Sequence, residues 1–465
     1  MAHATYTPIT AELRGRINRA LGAGCEVADP KALATYDRDA SELRHTPEMV
    51  VRVHSREQVQ ALLRLANQYR FPVTPRSGGT GLAGGCLSAC GGVVLDLSGM
   101  DRIFSIDTRN LIAEVQPGVV TQKLRDAARA AGLFYPPDPA SLAESTLGGN
   151  AATNAGGPAC VKYGTTKDYI LGLEAVLPNG RLIRTGVQTR KGVVGYDLTH
   201  LIVGSEGTLG VITALTLKLI PHPPAVTGMV AVFDDLETAM EAVAQVMTRG
   251  HLPSAIEFLD HKCLALVGDQ LPFDLPSRTA SLLIIETDGV AGTVADEIGD
   301  IGRICREVGA VHLQPAASSE ERERIWEARR QVSLRIHDHA ALYVSEDVAV
   351  PLGCIADLVA RLPEYEQTYG LDIFAFGHAG DGNIHLNVTA SDQKHREQVE
   401  EGIHALLRLV LEMGGTISGE HGIGAAKIQY LPMELSAESI RLQQGIKALF
   451  DPNGVLNPGK LFPDG

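Results

Sequence analysis

Two histidines stand either side of a tight glycine-rich run, FGHAGDGNIHLNV at residues 376–388. Asp-Gly between alternating apolar positions is a strong signal for a two-residue hairpin turn. With Asp381-Gly382 at the centre, Gly380 faces Asn383, Ala379 faces Ile384 and His378 faces His385. Directly opposed residues share a face, with Cβ atoms about 5 Å apart. That register sets two imidazoles side by side, at ligand spacing for a first-row metal; two half-buried histidines in a plain hairpin is the other reading. A second glycine-rich stretch, GGTISGEHGIG at 414–424, carries Glu420 and His421. Glu420 as third ligand gives a His2Glu set with open positions, which suits a catalytic rather than a closed structural site. His421, its neighbour, is a candidate general base.

The elements that must position these groups read from apolar rhythm and turn residues. Residues 9–22 have a helical rhythm opening at Thr10, and 49–79 read strand, helix, strand, loop, with Ser55 and Gln58 spaced as a capping box. Strands follow at 91–100 and 111–120 and a helix at 119–131. Asn179-Gly180 marks a hairpin, and prolines near residue 222 mark a boundary. Beyond it, two successive β-α-β units predict a ferredoxin-like domain on an antiparallel sheet. A third stretch repeats the pattern into the His378 hairpin, and the last fifty residues read as helical. The fold class is α+β: an N-terminal helical segment 1–45, a domain 46–222, a second domain 223–410 and a C-terminal segment 411–465.

The 465 residues allow two or three domains with full cores. Apolar content of 45% with mean hydropathy +0.03 reads as a globular chain, and no apolar run reaches the roughly 18 residues of a membrane span. A net charge of −14 argues against nucleic acid as a partner. The N-terminus lacks a basic-then-apolar leader pattern. The seven cysteines form no CxxC and no cluster spacing, and read as reduced, mostly buried thiols of a cytoplasmic protein.

PRSGGTGLAGG at 75–85 contains a literal G-x-G-x-x-G. That fingerprint signals NAD only when a helix follows the glycines. Here CLSACGG follows, so the segment predicts an irregular loop whose backbone N–H groups can cradle an anion, with Arg76 as a phosphate partner. Further small-residue stretches at 136–157 and 195–210 imply close backbone approach along a long ligand, which a dinucleotide fits better than one phosphate.

In these stretches the chain resembles the vanillyl-alcohol-oxidase-type flavoproteins with a PCMH-type FAD domain, and within them the FAD-linked D-2-hydroxyacid dehydrogenases. PRSGGTGLAGG, the PDPAS to NAGG stretch, GSEGTLG, GHAGDGNIH, SGEHGIG and LNPGK occur in that order over about 46–462. The resemblance implies a PCMH-type domain of two α+β subdomains, the ferredoxin-like domain as substrate and metal domain, and a C-terminal segment packing back on the FAD site. It implies FAD contacts from Pro75, Arg76, Ser77, Gly78, Gly79, Thr80 and Gly81, where the pyrophosphate lies. Others come from Pro137, Asp138, Ser141, Gly148, Gly149, Thr153, Gly156, Glu206, Gly207, Ile212 and Asn457. Thr80 stands where covalently flavinylated relatives carry His, so FAD is expected to be non-covalent. The family's metal ligands match His378, His385 and Glu420, with zinc expected and manganese or iron as alternatives. Arg329 matches the carboxylate-binding arginine, and Ser333 is assigned to the substrate with it.

The chemistry then expected is oxidation of a small D-2-hydroxy acid to the 2-oxo acid. The metal acidifies and orients the hydroxyl, His421 takes its proton, and FAD accepts the hydride. A chelated substrate presents one Cα–H to the flavin, hence the D enantiomer. Ser345, in SEDVAVP, stands where dicarboxylate-using relatives place Lys, which favours D-lactate over D-2-hydroxyglutarate. The alternatives are a D-2-hydroxyglutarate dehydrogenase, a glycolate oxidase subunit, or a non-catalytic flavoprotein subunit of a larger complex. Electrons leave to an external acceptor, a quinone, cytochrome, electron-transfer flavoprotein or iron–sulfur subunit. The expected location is cytoplasmic, at most peripheral to the inner membrane through that acceptor. The sequence leaves the oligomeric state open, a homodimer included.

Overall fold

The computed structural model describes residues 6–463; residues 1–5, the start of the stretch read for a leader, lie outside them. The chain divides into two compact units. The first takes the described residues up to 155, then 165–222 and those from 421 on; the second takes 156–164 and 223–420. Among the described residues no helix is long and apolar enough to cross a membrane.

The first unit is built on two main sheets, with a short antiparallel pair between Leu133–Phe134 and Ile220–Pro221 beside them. The smaller main sheet is parallel, in the order Met49–Arg52, Val93–Asp96, Val73–Arg76. Helices Ala11–Leu21 and Arg56–Tyr69 cover it, burying Leu13, Ile17, Val59, Leu62 and Leu63 against Val51, Val73 and Leu95. Thr10 caps the first helix through a bond from Leu13 N, and Ser55 Oγ accepts from Gln58 N at the second. The expected box there is shifted by one residue, because Gln58 Oε1 accepts from His54 N at 2.7 Å. The larger sheet is antiparallel, in the order Ile103–Asp107, Ile112–Val115, Val211–Lys218, Ile170–Val176, Leu182–Gly186. No helix follows the glycines of 78–85; the chain runs on as an irregular loop, as the sequence predicts. The small-residue stretch at 136–157 contains a seven-residue helix, Leu147–Thr153, capped by Thr146.

The second unit carries a seven-stranded sheet, in the order His312–Pro315, Ala225–Phe233, Ser281–Gly289, Ala255–Asp260, Asp372–His378, Asn383–Ala390, Leu342–Ala349. Every pairing is antiparallel. The first four strands have the order 4-1-3-2 of a ferredoxin-like fold, the pattern expected from the two β-α-β units. The remaining three extend the sheet past its edge. Helix Ser319–His339 buries Ile325, Ala328, Val332 and Ile336 against Val230, Leu282, Ile284 and Phe376.

All seven cysteines are free thiols, but only Cys25, Cys263 and Cys305 are buried; Cys86, Cys160 and Cys354 are half-buried and Cys90 is exposed. The expectation of mostly buried thiols is therefore corrected.

Candidate active site

The His378 hairpin forms, but not in the expected register. His378 pairs with Asn383, and His385 pairs with Phe376. The turn is four residues long, Ala379 to Gly382, rather than Asp381-Gly382 alone. Neighbouring strands decide this. Gly380 N donates to Ile256 O (3.3 Å) and Val350 N donates to Gly382 O (3.0 Å), so the loop is tied on both sides. Gly382 has φ +84°, and a Cβ there would lie 2.2 Å from Val350 O, which no side chain tolerates. The consequence for chemistry is small. His385 lies two residues past Asn383, so it shares a face with His378 along the diagonal. The ring centroids are 5.2 Å apart.

Glu420 completes the group. Its Oε1 stands 3.4 Å from His378 Nε2 and 3.6 Å from His385 Nε2. The loop that delivers it runs against buried polar groups: a Cβ on Gly419 would lie 2.1 Å from Asn383 Nδ2. His421 follows directly, and the boundary between the two units falls between it and Glu420.

Two buried carboxylates that sequence reasoning missed stand behind these groups. Glu257 is fully buried, directly across the sheet from His378, and its Oε1 meets His378 Nδ1 at 2.5 Å. Asp347 is also fully buried. Its Oδ1 accepts from Asn383 Nδ2 (2.6 Å), and its Oδ2 accepts from Glu420 N (2.8 Å) and Ser418 Oγ (3.3 Å). Burial opposes charge on the His378 ring, yet Glu257 and then Glu420 outweigh it and hold its pKa well above the ordinary histidine range. The only local sign of Glu257 is one acid inside the apolar run AIEFL. Asp347 sits two residues after Ser345 in SEDVAVP, with no local pattern that marks it. Nε2 atoms converging on a carboxylate oxygen, with a buried acid bonded to Nδ1 of one ring, is a donor set that fits a divalent metal.

Arg329 lies on helix Ser319–His339. Its Nε and Nη2 donate to Glu257 Oε2 (2.9 and 2.7 Å), and its guanidinium lies 4.6 Å from the Phe376 ring centre. Ser333, one turn on, is exposed. Asn387, also missed, is fully buried on the hairpin strand; its Oδ1 accepts from Tyr343 OH and its Nδ2 has no partner.

The residues assigned to FAD fall mostly in the first unit. Pro75, Gly148, Gly207 and Ile212 line one slot together with Pro117 and Ser205. Arg76 Nη1 and Nη2 donate to Arg38 O (2.6 Å) and Thr35 O (3.2 Å), so its cation is tied to backbone. Gly79 packs over that guanidinium and Gly78 against Glu144 O, while Gly81 O accepts from Ala40 N; Thr80 lies between them. Pro137 O accepts from Arg125 Nη1, Asp138 is half-buried, and Ser141 O accepts from Glu144 N and Ser145 N. Gly149 N donates to Thr146 Oγ1, and Thr153 Oγ1 donates back to Gly149 O. Gly156 instead belongs to the second unit, where a Cβ would lie 2.5 Å from Glu420 Oε2. Glu206, with φ +50°, is buried and accepts from Ile423 N (2.8 Å) and Gly424 N (2.7 Å). Burial pushes its pKa up against those two donors. Asn457 Nδ2 donates to Gly85 O and Glu206 O. Ser77 Oγ, Ser205 Oγ and Asn457 Oδ1 are buried without partners. Three orphaned polar atoms on the segments assigned to one cofactor fit a polar ligand such as FAD.

Comparison with known proteins agrees with both halves. Residues 47–186 match the family described as FAD binding domain, and residues 222–461 match FAD linked oxidases, C-terminal domain. The chain is 40% identical over 430 residues to the glycolate oxidase subunit GlcD of Bacillus subtilis (strain 168), covering 92% of each. It is 36% identical over 437 residues to D-lactate dehydrogenase of Anaerostipes hadrus, again covering 92% of each. In fold it is similar to p-cresol methylhydroxylase, with a TM-score of 0.79 at 19% identity over 96% of this chain and 95% of that one. A 4-ethylphenol oxidase from Gulosibacter chungangensis gives a TM-score of 0.77 at 21% identity, over 98% of each. With the FAD domain, the oxidase domain and the fold in agreement, the chain belongs to the FAD-linked oxidases, as an oxidoreductase with a PCMH-type flavin fold.

Proposed function

We propose that the protein oxidises a small D-2-hydroxy acid, D-lactate or one close to it, to the 2-oxo acid and passes the electrons to an external acceptor. The observation that carries this is the convergence of His378 Nε2 and His385 Nε2 on Glu420 Oε1. Relatives named D-lactate dehydrogenase and glycolate oxidase subunit support the substrate class. When bound, FAD supplies the hydride acceptor, and a divalent ion held by His378, His385 and Glu420 supplies the Lewis acid. The other tasks fall to the chain's own side chains. Arg329 keeps Nη1 for a substrate carboxylate while Nε and Nη2 are held by Glu257. Asn387 Nδ2, buried and unpaired, is a second donor for it. His421 takes the hydroxyl proton. Slot residues Pro75, Gly148, Gly207 and Ile212 hold the flavin nucleotide non-covalently.

Ser345 lies directly across from Asn387 in the sheet, so a neutral hydroxyl occupies the position beside that donor. An unpaired second carboxylate buried there costs several kcal/mol, a preference of at least about a hundredfold for monocarboxylates. The test is anaerobic stopped-flow of flavin bleaching with D-lactate, glycolate, D-2-hydroxybutyrate, L-lactate and D-2-hydroxyglutarate. Faster reduction by D-2-hydroxyglutarate than by D-lactate overturns the substrate, and full rates after metal stripping overturn the metal.

A further inference from the structure

Glu257 needs an explanation that packing does not supply. It is a fully buried acid in the wholly buried strand Ala255–Asp260. Burying an ion pair is no more stabilising than burying apolar residues of the same volume. Its two oxygens have separate partners. Oε2 takes both N–H bonds from Arg329, whose side chain is 11% exposed and rests on Phe376. Oε1 faces His378 Nδ1 at 2.5 Å. His385 is held differently. Its Nδ1 is 3.8 Å from Asp347 Oδ1, and its ring packs on Phe376 with centroids 5.2 Å apart. Each imidazole thus has a buried carboxylate on its Nδ1 side, and the one behind His378 stands at hydrogen-bond distance.

We propose that Glu257 is the positioning residue of the metal centre. It accepts the Nδ1–H of His378, which fixes the tautomer with the Nε2 lone pair directed at the metal, and Arg329 holds Glu257 in place to do so. This rests on the metal reading above and adds a buried relay, Arg329 to Glu257 to His378, whose middle member touches neither metal nor substrate. Two groups stand on one carboxylate, so the cation that meets the substrate and the ligand that meets the metal are set by the same side chain.

The test is zinc titration of chelator-stripped protein that retains its FAD, against a competing chromophoric chelator, with flavin absorbance and thermal midpoint read in parallel. Glu257→Gln should weaken zinc binding 10–100-fold, roughly the range for loss of a carboxylate behind a ligating histidine, with flavin content unchanged. That variant leaves Arg329 buried without its charge partner and should also melt lower. The double variant Glu257→Gln with Arg329→Met removes both charges. It should regain the thermal midpoint while zinc affinity stays low, and it carries the same measurement if the single variant does not fold. If zinc affinity returns with the midpoint, or never falls, Glu257 is only half of an ion pair and the proposal is overturned. If the wild-type protein takes up no zinc, manganese or iron, the metal reading itself fails and this relay with it.

Discussion

Replacing Asp347 by Asn changes one atom and should dismantle the loop that carries Glu420. Asp347 is fully buried and accepts from Asn383 Nδ2 on Oδ1 and from Glu420 N and Ser418 Oγ on Oδ2. An amide has one acceptor oxygen, so either the Asn383 bond or the Glu420 bond must face an NH2 group. The loss is one charge-assisted hydrogen bond, about 1.5–3 kcal/mol, plus one buried donor left unsatisfied, about 1–3 kcal/mol. Relief of the buried charge offsets part of this, which leaves about 2–4 kcal/mol. For a unit of this size that is a fall of roughly 5–15 °C in thermal midpoint. The loop cannot relax toward the hairpin, because Gly419 already lies against Asn383. Differential scanning calorimetry and zinc uptake on the flavin-loaded variant check both consequences. A midpoint within about 2 °C of wild type together with unchanged zinc affinity would refute the reasoning, since it would mean that the three donors find other acceptors.

Two further outcomes follow from named groups. His421→Asn should lower kcat by roughly 10²-fold or more with flavin and metal content near normal; a wild-type rate moves the base elsewhere. Glu206 has its pKa raised by burial above the 4.5 of an exposed glutamate. A raised acid contributes stability in full below about pH 4.5 and loses it as pH rises through the folded value. The midpoint gap between wild type and Glu206→Gln, which cannot ionise, should therefore shrink from pH 5 to pH 8; a gap that widens with pH contradicts the sign.

The sequence by itself determined what local chemistry can determine. Glycine spacing with no helix after it rules out the NAD fingerprint at 79–84, and the loop is irregular. Alternating β-α-β rhythm predicts the ferredoxin-like order, because each unit must bury one face of a strand pair under its own helix. Residue types alone single out His378, His385 and Glu420, and these three converge. The hairpin register was out of reach, because Asp-Gly prefers a two-residue turn in isolation but backbone bonds from Ile256 and Val350 stretch the loop to four. Glu257 was equally hidden. Its partners Arg329 and His378 are 72 and 121 residues away in the chain, and an acid in an apolar run looks like any solvated charge until the sheet order sets it opposite a histidine. The reason is common to both. Local propensity is carried by neighbours in sequence, whereas register and buried charge are settled by whichever strands the whole sheet brings alongside.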